Sequence, residues 1–158
     1  MIPLLPDDFG TVEQFPLAWR WTDPRWNVLP PEKLARVRPL VKTKAKEVCD
    51  HGRRFVDGFR LRRDLFSVTA DFDDCGNNSP GPASTWLKAQ SVEEDPAVFV
   101  CWGGDQAVFT AWSVFCEFWD DFCYPQECVL IWPESEEWVL LYHPEERICF
   151  ARVATAGE

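Results

Sequence analysis

The chain has 158 residues and a formal net charge of −10, with 46% apolar, 27% charged and 15% aromatic residues. That length suits one domain, and the apolar share fills one core without disulfide or metal staples. Phosphate binding needs clustered cations, so the acidic balance argues against nucleic acid as the main ligand. No apolar run approaches the ~18 residues that would cross a membrane. Met1 to Gly10 has neither the basic head nor the apolar stretch of a secretory signal. A cytoplasmic protein is expected.

The first thirty residues combine Pro3, Pro6, Pro16, Pro24 and Pro30 with Trp19, Trp21 and Trp26. Repeated proline breaks helices, so residues 1–30 read as an extended wrapping segment with a short strand near Leu17 to Trp21. Residues 31–66 read as a basic helical region. Pro31 suits a first turn and Glu32 favours the helix N-terminus. Pro39 divides the region into Pro31–Val37 and Pro39–Cys49, the second buried through Leu40, Val41, Ala45, Val48 and Cys49. Beyond Gly52 the pattern fits helix or loop equally.

Asp71 to Pro82 is turn chemistry throughout and is expected as an exposed loop. Residues 97–152 read as a β-β-α-β-β-β core. Ala97–Trp102 and Ala107–Thr110 flank Gly103-Gly104-Asp105, a hairpin signal. A helix follows over Ala111–Phe122, capped by Thr110, with Trp112, Phe115, Trp119 and Phe122 inward and Glu117, Asp120 and Asp121 off that stripe. Cys128–Trp132, Trp138–His143 and Arg147–Arg152 then form an antiparallel meander with short acidic turns. The fold class is α+β, a single domain with an antiparallel sheet of about five strands.

No constellation specifies an enzyme. The seven cysteines include no Cys-x-x-Cys pair, which is a poor pattern for zinc. Most have bulky apolar neighbours and are expected as buried free thiols. Asp71-Phe72-Asp73-Asp74-Cys75-Gly76 has the outline of a calcium loop, but Pro82 stands where the bidentate glutamate belongs. Cys128 with His143, or the Asp71–Asp74 run, is the alternative: a hydrolase or transferase site. No cofactor or metal is expected.

Charge is distributed unevenly. Residues 33–63 hold eleven Lys or Arg against three acids, a net of +8, whereas residues 89–158 hold fourteen acids against Arg147 and Arg152, a net of −12. Either the basic segment packs on the acidic half, or the chain presents two faces of opposite sign.

Thr110-x-Trp112-x-x-Phe115-x-x-x-Trp119-x-x-Phe122, followed by Val129–Trp132 and Trp138–Leu141, resembles a family of uncharacterised small bacterial domains. Ile2-Pro3-Leu4, Trp19-Arg20-Trp21 and Val37-Arg38-Pro39-Leu40 are loosely similar to it as well. In style the chain is similar to immunity proteins of bacterial toxin systems, which are small, acidic, Trp-rich α+β proteins that bind and block a toxin. That resemblance implies a non-enzymatic, protein-binding role with a basic toxin domain as partner. Glu134, Glu136, Glu137, Glu145, Glu146, Asp120 and Asp121 would face the toxin, with Trp132 or Trp138 as aromatic anchors.

Overall fold

The computed structural model describes residues 1–75, 80–90 and 94–154. In chain order they form α1 (Trp19–Thr22), α2 (Pro31–Leu34), β1 (Arg38–Pro39), α3 (Lys42–Gly52), β2 (Val56–Asp57), β3 (Arg60–Leu61) and β4 (Phe66–Phe72). Next come α4 (Pro80–Ala89), β5 (Ala97–Gly103), β6 (Gln106–Ala111), α5 (Trp112–Glu117), α6 (Trp119–Phe122), β7 (Val129–Pro133), β8 (Trp138–His143) and β9 (Arg147–Val153). The class is α+β, as expected. The sheet is larger than expected, with seven strands in the order β1-β6-β5-β7-β8-β9-β4, and β2 and β3 form a separate hairpin.

All five strands expected over residues 97–152 are present, and every pairing in the large sheet is antiparallel. The two extra strands close its edges. At one edge, Arg38 precedes a proline and is thereby held extended. Pro39 needs no ladder N–H there; its carbonyl accepts from the Gly10 N–H, and the Leu40 N–H donates to the Ala107 carbonyl. The expected helix from Pro39 to Cys49 therefore starts later, at Lys42. At the other edge β4 pairs with β9. Its Phe-x-Val-x-Ala-x-Phe alternation is a period-two signal within what reads from sequence as an ambiguous stretch and a loop.

Side chains alternate between the faces of the sheet and build two cores. Val98, Val100, Val108, Ile131, Leu140 and Phe150 pack under α4, α5 and α6 and the N-terminal aromatics Phe15 and Trp21. Phe99, Cys101, Leu130, Trp132, Val139 and Leu141 pack under α3 and Phe55. Helix α3 buries Ala45, Val48, Cys49 and Gly52, an i, i+3, i+4, i+7 stripe. It lies so close that a Cβ on Gly52 would stand 2.7 Å from the Trp132 ring. Cys49 is disulfide-bonded to Cys101 beneath it, which corrects the expectation of free thiols at these two positions. Cys75, Cys116, Cys123, Cys128 and Cys149 are free.

Three further expectations are corrected. Residues 19–22 are a helical turn, not strand. Part of the expected 71–82 loop is ordered as β4 and α4, with Pro80 opening a helix that buries Ala83 and Leu87; residues 76–79 lie outside the described residues. The 111–122 helix is two pieces broken at Phe118 (φ −118°, ψ 27°). Its start is capped by Asp95, whose carboxylate accepts from the Ser113 N–H at 2.7 Å, while Thr110 Oγ1 is buried with no hydrogen bond among the described residues.

Candidate functional site

The acidic residues singled out in the sequence fall into two groups. Strand β8 is six residues long, so the β7–β8 and β8–β9 turns that flank it stand about 20 Å apart. They cannot form one face. Each turn places a glutamate in the left-handed region, Glu136 at φ 59° and Glu146 at φ 59°. In each, that residue's N–H donates to the carbonyl three residues back, Pro133 and His143 respectively.

At the β7–β8 turn, Glu136 is spent within the chain. It accepts from Arg54 and from His51 at the end of α3. Burial alone would raise its carboxyl, but these hydrogen bonds overcome it and hold the pKa below the ordinary value. Lys33–Glu117 at 3.0 Å and Arg36–Asp95 at 2.6 Å likewise join the basic segment to the acidic half. Part of the +8 is thus neutralised by packing. Glu134 and Glu137 remain exposed.

The opposite end of the sheet gathers the β8–β9 turn, the end of β4, and the segment from α6 to β7. Phe72 pairs with Ile148, which brings Asp73 to 3.9 Å from Arg147. Trp119 meets Tyr142 at 6.3 Å between ring centres, and the Trp102 indole N–H donates to the Phe122 carbonyl at 2.8 Å. Asp120, Asp121, Glu127, Glu145 and Glu146 all belong to this end. The Cys75 thiol is pushed up to about 12, first by burial and then by Glu146.

One cation organises the interior of this region. Arg20 is only 4% exposed. Its Nη1 and Nη2 donate to the two Glu127 carboxylate oxygens at 2.8 and 2.7 Å, and its guanidinium lies 4.0 Å from the Tyr124 ring centre. Glu127 also accepts from the Tyr124 N–H at 2.8 Å. This bidentate fork fixes the loop that leaves α6. Beside it, Trp19 packs on Trp26 at 5.1 Å and on Tyr124 at 5.6 Å. Trp26 is 60% exposed and Val28 is 51% exposed.

Asp121, expected off the buried stripe, is 9% exposed. The break at Phe118 resets the helical phase, so α6 turns Asp121 inward, where Asn27 donates to it at 2.6 Å. Asp120 is half-buried, and no cation reaches it among the described residues. Burial raises the pKa of both carboxyls, in Asp121 against the Asn27 hydrogen bond. The aromatic anchors need correcting: Trp132 is 0% exposed and Trp138 is buried, both facing helices across the sheet. At this end Trp26 is exposed and Tyr124 half-buried beside it, while the other exposed ring among the described residues, Phe59, lies in the β2–β3 turn; none of this leaves a mark in the sequence.

The residues of the alternative site lie on the other face. Extending the β7–β8 register by one residue sets Cys128 opposite His143, which pairs with Arg147. Burial raises the Cys128 thiol. Burial, then Asp71, raise Cys149 to about 11 despite Arg147. Neither is poised as a thiolate nucleophile. His143 Nδ1 accepts from the Glu145 N–H at 3.1 Å. Among the described residues no group of three His, Cys, Asp or Glu could hold a metal ion, and no helix is long and apolar enough to cross a membrane.

Compared with protein families, curated proteins and solved structures, the chain matches none of them. Its site must therefore be read from its own geometry.

Proposed function

We propose that the chain is a non-enzymatic binding protein that occludes a basic partner, most concretely an immunity protein that blocks a toxin domain in the cytoplasm. The observation that carries this reading is the coincidence, at one end of the sheet, of carboxylates that no cation pairs among the described residues with the exposed Trp26 ring and the half-buried Tyr124 beside it. Carboxylates steer a basic partner into contact, and aromatic rings supply contact energy once it arrives. The relevant surface is then Asp120, Glu145 and Glu146 with Trp26 and Tyr124, with the buried Asp121 behind it holding Asn27, while Glu136 serves the fold. The raised thiols support a role without a cysteine nucleophile.

The test is growth rescue and complex formation with the product of the gene encoded beside this chain. Expression of the chain should restore growth and yield a stable complex whose association rate falls steeply with salt. Toxicity unchanged by the chain, with no complex in low salt, would overturn the reading.

A further inference from the structure

We infer that the β4 edge of the sheet is a self-association surface. Two copies of this chain pair antiparallel through β4, about a two-fold axis near Ala70, and join their sheets into one. The inference does not depend on the toxin-blocking reading.

The two edges of the sheet are finished differently. Strand β1 is two residues long and ends in Pro39. Its outer side is covered by the N-terminal segment: Phe9 bridges to Leu40, the Gly10 N–H donates to the Pro39 carbonyl at 2.9 Å, and the Val41 N–H donates to the Asp8 carbonyl at 2.8 Å. Strand β4 runs for seven residues without proline, lysine or arginine. It is the last strand on its side, with no further strand paired to it among the described residues. A register shift between Phe66 and Val68 bulges its start, but Val68–Phe72 then pairs regularly with Arg152 back to Ile148. Long edge strands leave a row of N–H and C=O groups open to another strand, and folded proteins ordinarily blunt them.

Charge order selects the occupant. Ahead of β4, residues 60–64 hold Arg60, Arg62 and Arg63 against Asp64, a net of +2. At its end, residues 71–74 hold Asp71, Asp73 and Asp74, a net of −3. All seven side chains are exposed, and Arg147 approaches Asp73 only to 3.9 Å. A parallel second copy would set like charge against like. An antiparallel copy brings the basic start of each strand beside the acidic end of the other, and the two-fold makes that match twice.

The register fits as well. About Ala70, Asp71 faces Thr69 of the second copy rather than a second carboxylate. Continuing outward, Asp74 comes opposite Phe66. Arg63 lies three residues before Phe66, in a 3-10 turn, about 6 Å away at the rise of such a turn. A foreign strand would need this same inverse order of charges; the chain carries it itself.

The test is sedimentation velocity over a concentration series in low salt, with amide hydrogen exchange of the 15N-labelled chain at the same concentrations. A reversible dimer should form, and β4 amides should exchange more slowly as it does, while those around β1 stay unchanged. Arg63→Glu and Asp74→Lys should each weaken the dimer at least about fivefold, since each reverses two exposed charge pairs. Mixing the two variants should restore association, because each repulsion then becomes an attraction; their amide spectra report that both fold. A monomer at every concentration, a dimer whose β4 amides exchange as in the monomer, or a mixture no tighter than either variant alone would overturn the inference. Protection of β4 gained only on adding the neighbouring gene's product would also overturn it, and would give the edge to a foreign strand.

Discussion

The two acidic turns of the sheet share a backbone and differ in everything else. Glu136 and Glu146 occupy the same left-handed position, each closing its turn onto a carbonyl three residues back. Glu136 is gripped by His51 and Arg54 from α3 and the residues after it. Glu146 has no cation within ion-pair reach among the described residues, and it adds its charge to an end already rich in carboxylates. The same turn backbone with a glutamate at the same position therefore yields a structural latch in one place and an unsatisfied field in the other. The deciding factor is which element packs alongside.

The largest expected effect tests the buried cation that serves the acidic end, Arg20. Arg20→Met leaves Glu127 half-buried and unpaired, and should cost about 3 kcal/mol, as for a buried pair with one partner removed. Urea unfolding measures it; a loss under 1 kcal/mol would mean water replaces the guanidinium.

Glycine in the two turns comes next, and the signs should be opposite. A left-handed L-residue carries about 1 kcal/mol of strain. Glu146→Gly should therefore raise stability by up to about 1 kcal/mol, while Glu136→Gly should lower it by roughly 1 kcal/mol, because lost charge-assisted hydrogen bonds outweigh the relief. Equal signs in thermal unfolding would erase the distinction between the turns.

Acidification separates the ends again. Asp120 and Asp121 have pKa values raised by burial from the ordinary 3.8. The folded state holds their protons more tightly, so their contribution improves as pH falls from neutral through the raised values. Glu136 lies below its ordinary 4.5. Its stabilisation is present above that pH and lost as pH falls through the depressed value. Unfolding temperatures between pH 7 and pH 3 should show Asp120→Asn flattening the first trend and Glu136→Gln removing the second. The smallest effect belongs to Glu134→Lys and Glu137→Lys, which should stay within about 0.5 kcal/mol in unfolding experiments, as for exposed sites.

Much of the fold was legible in the chain. Period-two runs from Ala97 onward, the acidic turns, and the Trp112, Phe115, Trp119, Phe122 stripe all appear where their spacing places them, because local hydrophobic alternation is a property of neighbouring residues. The break at Phe118 was not legible, and it alone moves Asp121 from the solvent side to the inside. The edge strand β1 hides behind a proline that reads as a helix interruption. Strand β4 hides in a stretch that merges into turn chemistry.

The candidate site was legible only in part. Glu145 and Glu146 are legible as carboxylates on a turn, and Asp120 and Asp121 as carboxylates off the aromatic stripe of a helix. The sequence points to Trp132 and Trp138 as anchors, but their strands bury both rings, whereas the fold exposes Trp26. Residue type sets what a ring can contribute; exposure depends on what covers it.

The sequence by itself determined the α+β class, the meander and the polarity of charge between its two halves. Those follow from periodicity, turn chemistry and residue counts, which need no knowledge of distant partners. Only the tertiary structure decided which charges are neutralised and which remain. Arg20 meets Glu127 across 107 residues of chain, and His51 meets Glu136 across 85. Electrostatic compensation acts through space, so the uncompensated end of this protein becomes visible only when its helices are seated on the sheet.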